Sequence, residues 1–209
     1  MRGAFITLEG VEGVGKSTNL AFVERRLRTL GKDVLLTREP GGTPLGEKVR
    51  HWILLEEHGT LSADVEALLM FAARAHHLDR VIRPALAAGR WVVCDRFTDA
   101  TIAYQGGGRG ADPTLLDGLK TAVQRGLEPD LTLLLDAPLD VSFGRITARP
   151  PDHFEREDQG FFERVRKAYL RLAAAHPNRI RVIDAAQPLS AVQKDIEAQV
   201  LALVGGVGK

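Results

Sequence analysis

The stretch LEGVEGVGKST, Leu8 to Thr18, follows an apolar run and opens a helical pattern at Lys16. Its spacing, Gly10-x4-Gly15-Lys16-Ser17, is that of a loop that cradles phosphate between a strand and a helix. Such a loop works only where a buried strand turns sharply into a helix whose first N–H groups face a ligand. Gly10, Gly13 and Gly15 let the backbone turn its amides inward, and the helix start adds partial positive charge. Lys16 can reach the β- and γ-phosphates of a nucleotide, and Ser17 can hold Mg²⁺. The spacing therefore assigns residues 10–17 to a phosphate loop and the span Gly10, Val11, Glu12, Gly13, Val14, Gly15, Lys16, Ser17 and Thr18 to nucleotide contact.

The rest of the chain fits that demand. Four further apolar runs, Asp33–Thr37, Trp91–Asp95, Leu131–Asp136 and Arg179–Ile183, join Ala4–Glu9 as short strands rich in Val, Ile and Leu. They do not alternate, which is the pattern of strands covered on both faces. Helical stretches are expected at Lys16–Leu30, Ser62 to about Ala88, Pro113–Gly126, Leu139–Arg149, Gly160–Ala175 and Leu189–Val204. Strands alternating with helices predict a three-layer α/β fold: a five-stranded parallel sheet with helices on both faces and ligands at the strands' carboxyl ends. The charged stretch PPDHFEREDQ, Pro150–Gln159, reads as an exposed excursion, and Gly106–Gly110 as a flexible loop near the site.

Composition narrows the class. With 209 residues the chain suits one domain over 1–209, and 28 Lys+Arg against 27 Asp+Glu give no broadly basic surface for nucleic acid. The single cysteine, Cys94, lies in an apolar strand and suits a reducing compartment. No apolar run has membrane-spanning length and no signal peptide precedes the first strand, so the expectation is a soluble cytoplasmic protein. The six histidines show no metal-cluster spacing.

The loop alone does not name a reaction, because switches, motors and small-molecule kinases share it. The switch patterns Asp-x-x-Gly and Asn-Lys-x-Asp do not occur. Two strand ends instead carry cations: Arg38 in TREPGGT and Arg96 beside Asp95, which can organise Mg²⁺. Phe71 and Arg74, three apart on a helix, share a face and can stack on a base and donate to its carbonyl. Glu12 is repelled by phosphate and so is expected to face away from it, towards an acceptor sugar or an acceptor-site Arg. A bulky 3′ substituent on the acceptor would then push on this loop.

These pieces, with ALLMFAARA, DRFTDATIAYQGGGRG, PDLTLLLD and VIDAAQP, resemble bacterial thymidylate kinases of the P-loop nucleoside monophosphate kinase family from end to end. The resemblance implies a P-loop NTPase fold, ATP and dTMP as substrates with Mg²⁺, formation of dTDP and ADP for dTTP biosynthesis, and a homodimer. It implies that Phe71 stacks on thymine, that Arg74 meets its O4, that Arg38 and Arg96 hold the dTMP phosphate, and that Tyr104 crowds the 2′ position. It also implies that Thr101 and Gln105 line the base pocket and that Glu12 contacts deoxyribose.

Two departures stand out. Ala100 replaces a common Ser, with Thr98 and Thr101 the nearby hydroxyls. In the lid, about 145–159, His153 occupies the usual arginine position. The resemblance implies a mobile arginine from either the phosphate loop or the lid; this loop carries Glu12 and no Arg, so the lid is expected to supply the catalytic cation through Arg149 and Arg156, with Arg145 nearer the adenine. The rivals are a kinase of another nucleoside monophosphate and a non-catalytic nucleotide-binding switch.

Overall fold

A computed structural model describes residues 2–55, 61–145 and 157–206. Strand β1 (Phe5–Glu9) is buried at every position and runs into the phosphate loop, from which α1 (Lys16–Thr29) departs. The chain continues through β2 (Val34–Arg38), α2 (Pro44–Leu55) and α3 (Ala63–His77). A π-helical stretch, Leu78–Ile82, and α4 (Arg83–Ala87) prolong α3 without a break. Then follow β3 (Trp91–Asp95), α5 (Thr98–Thr101), a second π-helical stretch over Ile102–Gly108, and α6 (Pro113–Gln124). β4 (Leu131–Asp136), α7 (Leu139–Phe143), α8 (Gln159–Ala175), β5 (Ile180–Asp184) and α9 (Leu189–Gly206) complete the described elements.

The five strands form one parallel sheet in the order β2-β3-β1-β4-β5. The chain winds outward from β1 to β2, returns to β3, and then crosses to β4 on the other side. The reversal opens a crevice at the carboxyl ends of β1 and β3, where parallel sheets bind ligands. Glu9 and Asp95 end those two strands.

The expectation of strands covered on both faces holds for the centre and fails at the edges. β2 and β5 are only partly buried, with Leu36 and Val182 exposed, because an edge strand has no neighbour whose helices can cover its outer face.

Side-chain caps set the start of three helices. The Ser62 hydroxyl accepts from the Val65 N–H at 3.3 Å, Asp112 caps Thr114, and Asp158 accepts from Phe161. Three elements lie outside the expected set: α2, α5 and the π-helical stretch that follows α5. α2 begins at Pro44, with the Thr43 hydroxyl accepting from Gly46 N–H at 3.0 Å, a start signal hidden by the polar GEKVRHW run. The Gly106–Gly110 stretch is not a flexible loop. A Cβ on Gly107 would lie 2.5 Å from that of Ala168, and one on Gly108 2.5 Å from the Phe161 ring. Those glycines let the π-helical backbone lie directly on α8. The end of the expected Leu139–Arg149 helix falls outside the described residues, as does most of the Pro150–Gln159 stretch.

Candidate active site

The phosphate loop is tied to the core by Val11 and Val14, whose side chains are buried, so at these positions only the backbone faces a ligand. Gly13 and Gly15 take left-handed φ values of 77° and 90°, which turn the loop around its own amides. The Lys16 ammonium bends back across the loop and donates to the carbonyls of Gly10 at 3.0 Å and Val11 at 2.8 Å. Burial first, then the like charge of Arg96, lowers its pKa to about 8. Ser17 and Thr18 are exposed at the start of α1.

Glu12 turns away from the loop's interior, as its charge requires. One carboxylate oxygen accepts from Arg96 at 2.7 Å and the other from the Tyr104 hydroxyl at 2.6 Å. Burial would raise this carboxyl, but the positive charges of Arg96 and Lys16 and the Tyr104 hydrogen bond hold it below the ordinary value. The Arg96 guanidinium also lies 4.6 Å from the Tyr104 ring centroid, a cation–π contact.

Arg96 is aimed by an uncommon backbone. Its φ is 66°, left-handed for a non-glycine residue. Its N–H donates to Leu8 O at 3.0 Å, its carbonyl accepts from the Cys94 thiol at 3.0 Å, and the next N–H, on Phe97, donates to Glu9 at 2.7 Å. Glu9 is completely buried and accepts also from Tyr169 at 2.9 Å. Burial, then the charge of Asp99, pushes Glu9 up to about 8. Cys94 is thus packed as expected, and its thiol also holds the turn.

Arg74 and Phe71 come together on one face of α3, with the guanidinium 4.6 Å from the ring centroid and 5.1 Å from that of Phe97. Arg74 Nε donates to Glu39 at 2.7 Å and one Nη to Thr101 at 2.8 Å. Its other Nη is buried and has no partner among the described residues. Such an orphan donor points to a ligand acceptor. Gln105 is buried and its amide donates to Glu66 at 3.1 Å.

Arg38, half exposed at the end of β2, pairs with Glu47 at 2.7 Å. Arg50 of α2 donates to the Pro40 carbonyl at 3.3 Å. Burial, then the like charges of Arg38 and Arg96, lowers the pKa of Arg50. Three guanidiniums therefore converge near the carboxyl ends of β2 and β3. Among the described residues no group of three His, Cys, Asp or Glu could hold a metal ion.

This arrangement places two anion-binding regions face to face across one crevice, one built of backbone amides and the other of guanidiniums. A thymidylate kinase family model matches residues 8–196. The chain belongs to the thymidylate kinase family. The thymidylate kinase of Methylococcus capsulatus is 58% identical over 205 residues, covering 98% of each chain. That of Pseudomonas putida is 58% identical over 199 residues and 95% of each chain. The crystal structure of thymidylate kinase from Ehrlichia chaffeensis superposes with a TM-score of 0.76 at 34% identity, over 95% of this chain and 99% of that one.

Of the residues expected at the site, Glu12, Arg96 and Tyr104 meet directly, and Phe71, Arg74 and Thr101 form a second cluster. Both hydroxyls near Ala100 already hold a partner. Thr98 donates to Gln124 at 2.7 Å and Thr101 accepts from Arg74. Arg145 is exposed and donates to the Ala185 carbonyl at 2.7 Å, beyond the end of β5. Arg149, His153 and Arg156 lie outside the described residues.

Four residues of the site were missed in the sequence: Arg50, Glu39, Glu9 and Tyr169. Arg50 was within reach, since Pro44 starts a helix and Glu47 and Arg50 then share a face. Glu39 stands inside TREPGGT next to Arg38. Glu9 and Tyr169 are 160 positions apart, and no local pattern joins them.

Proposed function

We propose that the chain transfers the γ-phosphoryl group of ATP in line to the phosphate of dTMP, giving dTDP and ADP. The observation that carries this reading is Glu12. A carboxylate inside a phosphate loop, bridged to Arg96 and Tyr104, joins the donor loop to an acceptor pocket within two side-chain contacts. A nucleotide switch needs no such second pocket.

In this reading Lys16 moves from the loop carbonyls to the β- and γ-phosphates, Arg38, Arg50 and Arg96 receive the dTMP phosphate, and the unpartnered Nη of Arg74 donates to thymine O4 beside Phe71. Glu12 accepts from the 3′-hydroxyl, and Tyr104 fills the space a 2′-hydroxyl would need. The acceptor is already an anion, so the chain has to position and to neutralise charge more than to remove a proton. Arg149 and Arg156 are assigned to the transferring group and Arg145 to the adenine side.

The residues present fit Mg²⁺. Asp95 has a buried carboxylate oxygen with no partner among the described residues, and Ser17 offers an exposed hydroxyl at the loop's end. When bound there, the ion would offset phosphate charge.

The proposal includes a homodimer in the cytoplasm that binds neither nucleic acid nor membrane. Val65 and Leu68, one turn apart on α3, expose an apolar face that a second copy can cover. No helix among the described residues is long and apolar enough to cross a membrane.

The deciding experiment is ADP release, coupled to NADH oxidation, with dTMP, dUMP, UMP, CMP, GMP and AMP. Turnover is expected to be greatest with dTMP. Equal rates across the panel, or ATP binding with no acceptor-dependent turnover, would overturn the reading.

A further inference from the structure

We infer that His77 is a positioning residue that fixes the base-reading donor of Arg74 through Glu39 and so sets the enzyme's preference for a 4-carbonyl pyrimidine. The inference rests on the proposed function, in which Arg74 meets the base.

A continuous chain of side chains runs from the end of β2 to α5. The Thr37 hydroxyl lies 2.7 Å from His77 Nε2, and His77 Nδ1 lies 2.9 Å from one oxygen of Glu39. The other Glu39 oxygen accepts from Arg74 Nε at 2.7 Å, and Arg74 donates onward to Thr101 at 2.8 Å. A carboxylate oxygen only accepts, so His77 Nδ1 must carry a proton, and the Thr37 hydroxyl can rotate to donate to Nε2. Every link is then satisfied, and one Arg74 Nη is left unpartnered.

Burial makes the chain stiff. His77, Arg74 and Glu39 have side-chain exposures of 0%, 2% and 4%. Groups so enclosed cannot exchange a lost partner for water. The Glu39 backbone is fixed too, its N–H donating to Asp95 O at 2.9 Å. The turn after it leaves no slack. Gly42 has a φ of +71°, and a Cβ there would lie 2.4 Å from His77 Nε2 and 2.6 Å from the Thr37 hydroxyl. His77 is thus the floor of the Glu39–Gly42 turn as well as the partner of its carboxylate.

The consequence is directional. Without the Nδ1 donor, the freed Glu39 oxygen can swing to take a second Arg74 N–H. That rotation pulls the free Nη away from the base. A 4-carbonyl accepts from an Nη held in place, whereas the 4-amino group of cytosine meets it donor against donor. Loosening Arg74 therefore weakens dTMP binding and narrows the gap to dCMP.

The test compares His77→Leu with His77→Asn, whose amide N–H can replace Nδ1. For His77→Leu, we expect the KM for dTMP to rise about tenfold, as for loss of one hydrogen bond to a charged group. We expect kcat at saturating dTMP to stay within about twofold, and the dTMP/dCMP ratio of kcat/KM to fall by about five- to tenfold. His77→Asn is expected to recover most of the KM and the ratio. A purely structural role would lower melting temperature and kcat with the ratio unchanged, and that result overturns the inference. Arg74→Met separates the two levels. If it leaves the ratio intact, the base-reading assignment itself is wrong. If it lowers the ratio and His77→Leu does not, only the role of His77 is wrong. Should His77→Leu not fold, Thr37→Val decides: a shift of about two- to threefold in the ratio supports the relay, and an unchanged ratio overturns it.

Discussion

The acceptor side and the donor side of the crevice are built on different principles. On the acceptor side, charged groups answer one another below the surface: Arg74 with Glu39 and His77, all buried, and Arg96 with Glu12 and Tyr104, partly buried. On the donor side, the loop offers backbone amides and exposed Ser17 and Thr18, and Arg145 donates to a backbone carbonyl at its margin. Backbone amides read phosphate and are indifferent to what the phosphate carries. Buried ion pairs are costly to disturb and therefore hold a fixed geometry. Selectivity is thus expected to reside in the acceptor pocket and chemistry at the junction.

The strongest challenge to that division is Arg96→Ala, which removes the junction's central cation and strands Glu12. We expect kcat/KM for dTMP to fall by about 10³-fold or more in steady-state assays. Lys16→Ala should lower kcat by about 10²- to 10³-fold while the KM for dTMP changes little, since the loss falls on the donor phosphates. The paired change Arg149→Ala with Arg156→Ala is expected to lower kcat by about 10- to 100-fold with the KM for dTMP unchanged. Full kcat in that variant would remove both residues from the chemistry.

The smallest effect concerns stability. Glu9 is pushed from 4.5 up to about 8, by burial first and then by Asp99. Between those values the folded protein binds more protons than the unfolded chain. The stabilisation is therefore complete below about pH 4.5 and is lost as pH rises through 8. Glu9→Gln keeps an acceptor for Phe97 N–H without the ionisation. Relative to the native enzyme it should gain on the order of 1 kcal/mol, or about 2–4 °C in melting temperature, between pH 5 and 8. A difference that is flat with pH would show that Glu9 does not titrate in this range.

Much of this was legible in the chain. The strand–loop–helix unit, Ser62 as a cap and the outward turn of Glu12 each follow from local geometry or from charge, which act over a few residues. Edge exposure of β2 and β5 was not legible, because a strand does not encode which neighbours it will have. Nor were the helices around Pro44 and Ile102. The first was masked by polar residues, and the second exists because its glycines meet Ala168 and Phe161 across the fold.

The sequence by itself determined the phosphate loop, the parallel α/β class and the family, because these rest on residues close together in the chain. Only the tertiary structure decided which buried charges pair. Glu9 meets Tyr169 across 160 positions and Glu39 meets His77 across 38, contacts that exist only once the sheet order is set. Pairing within a buried site depends on distance in space, and that distance is a property of the whole fold.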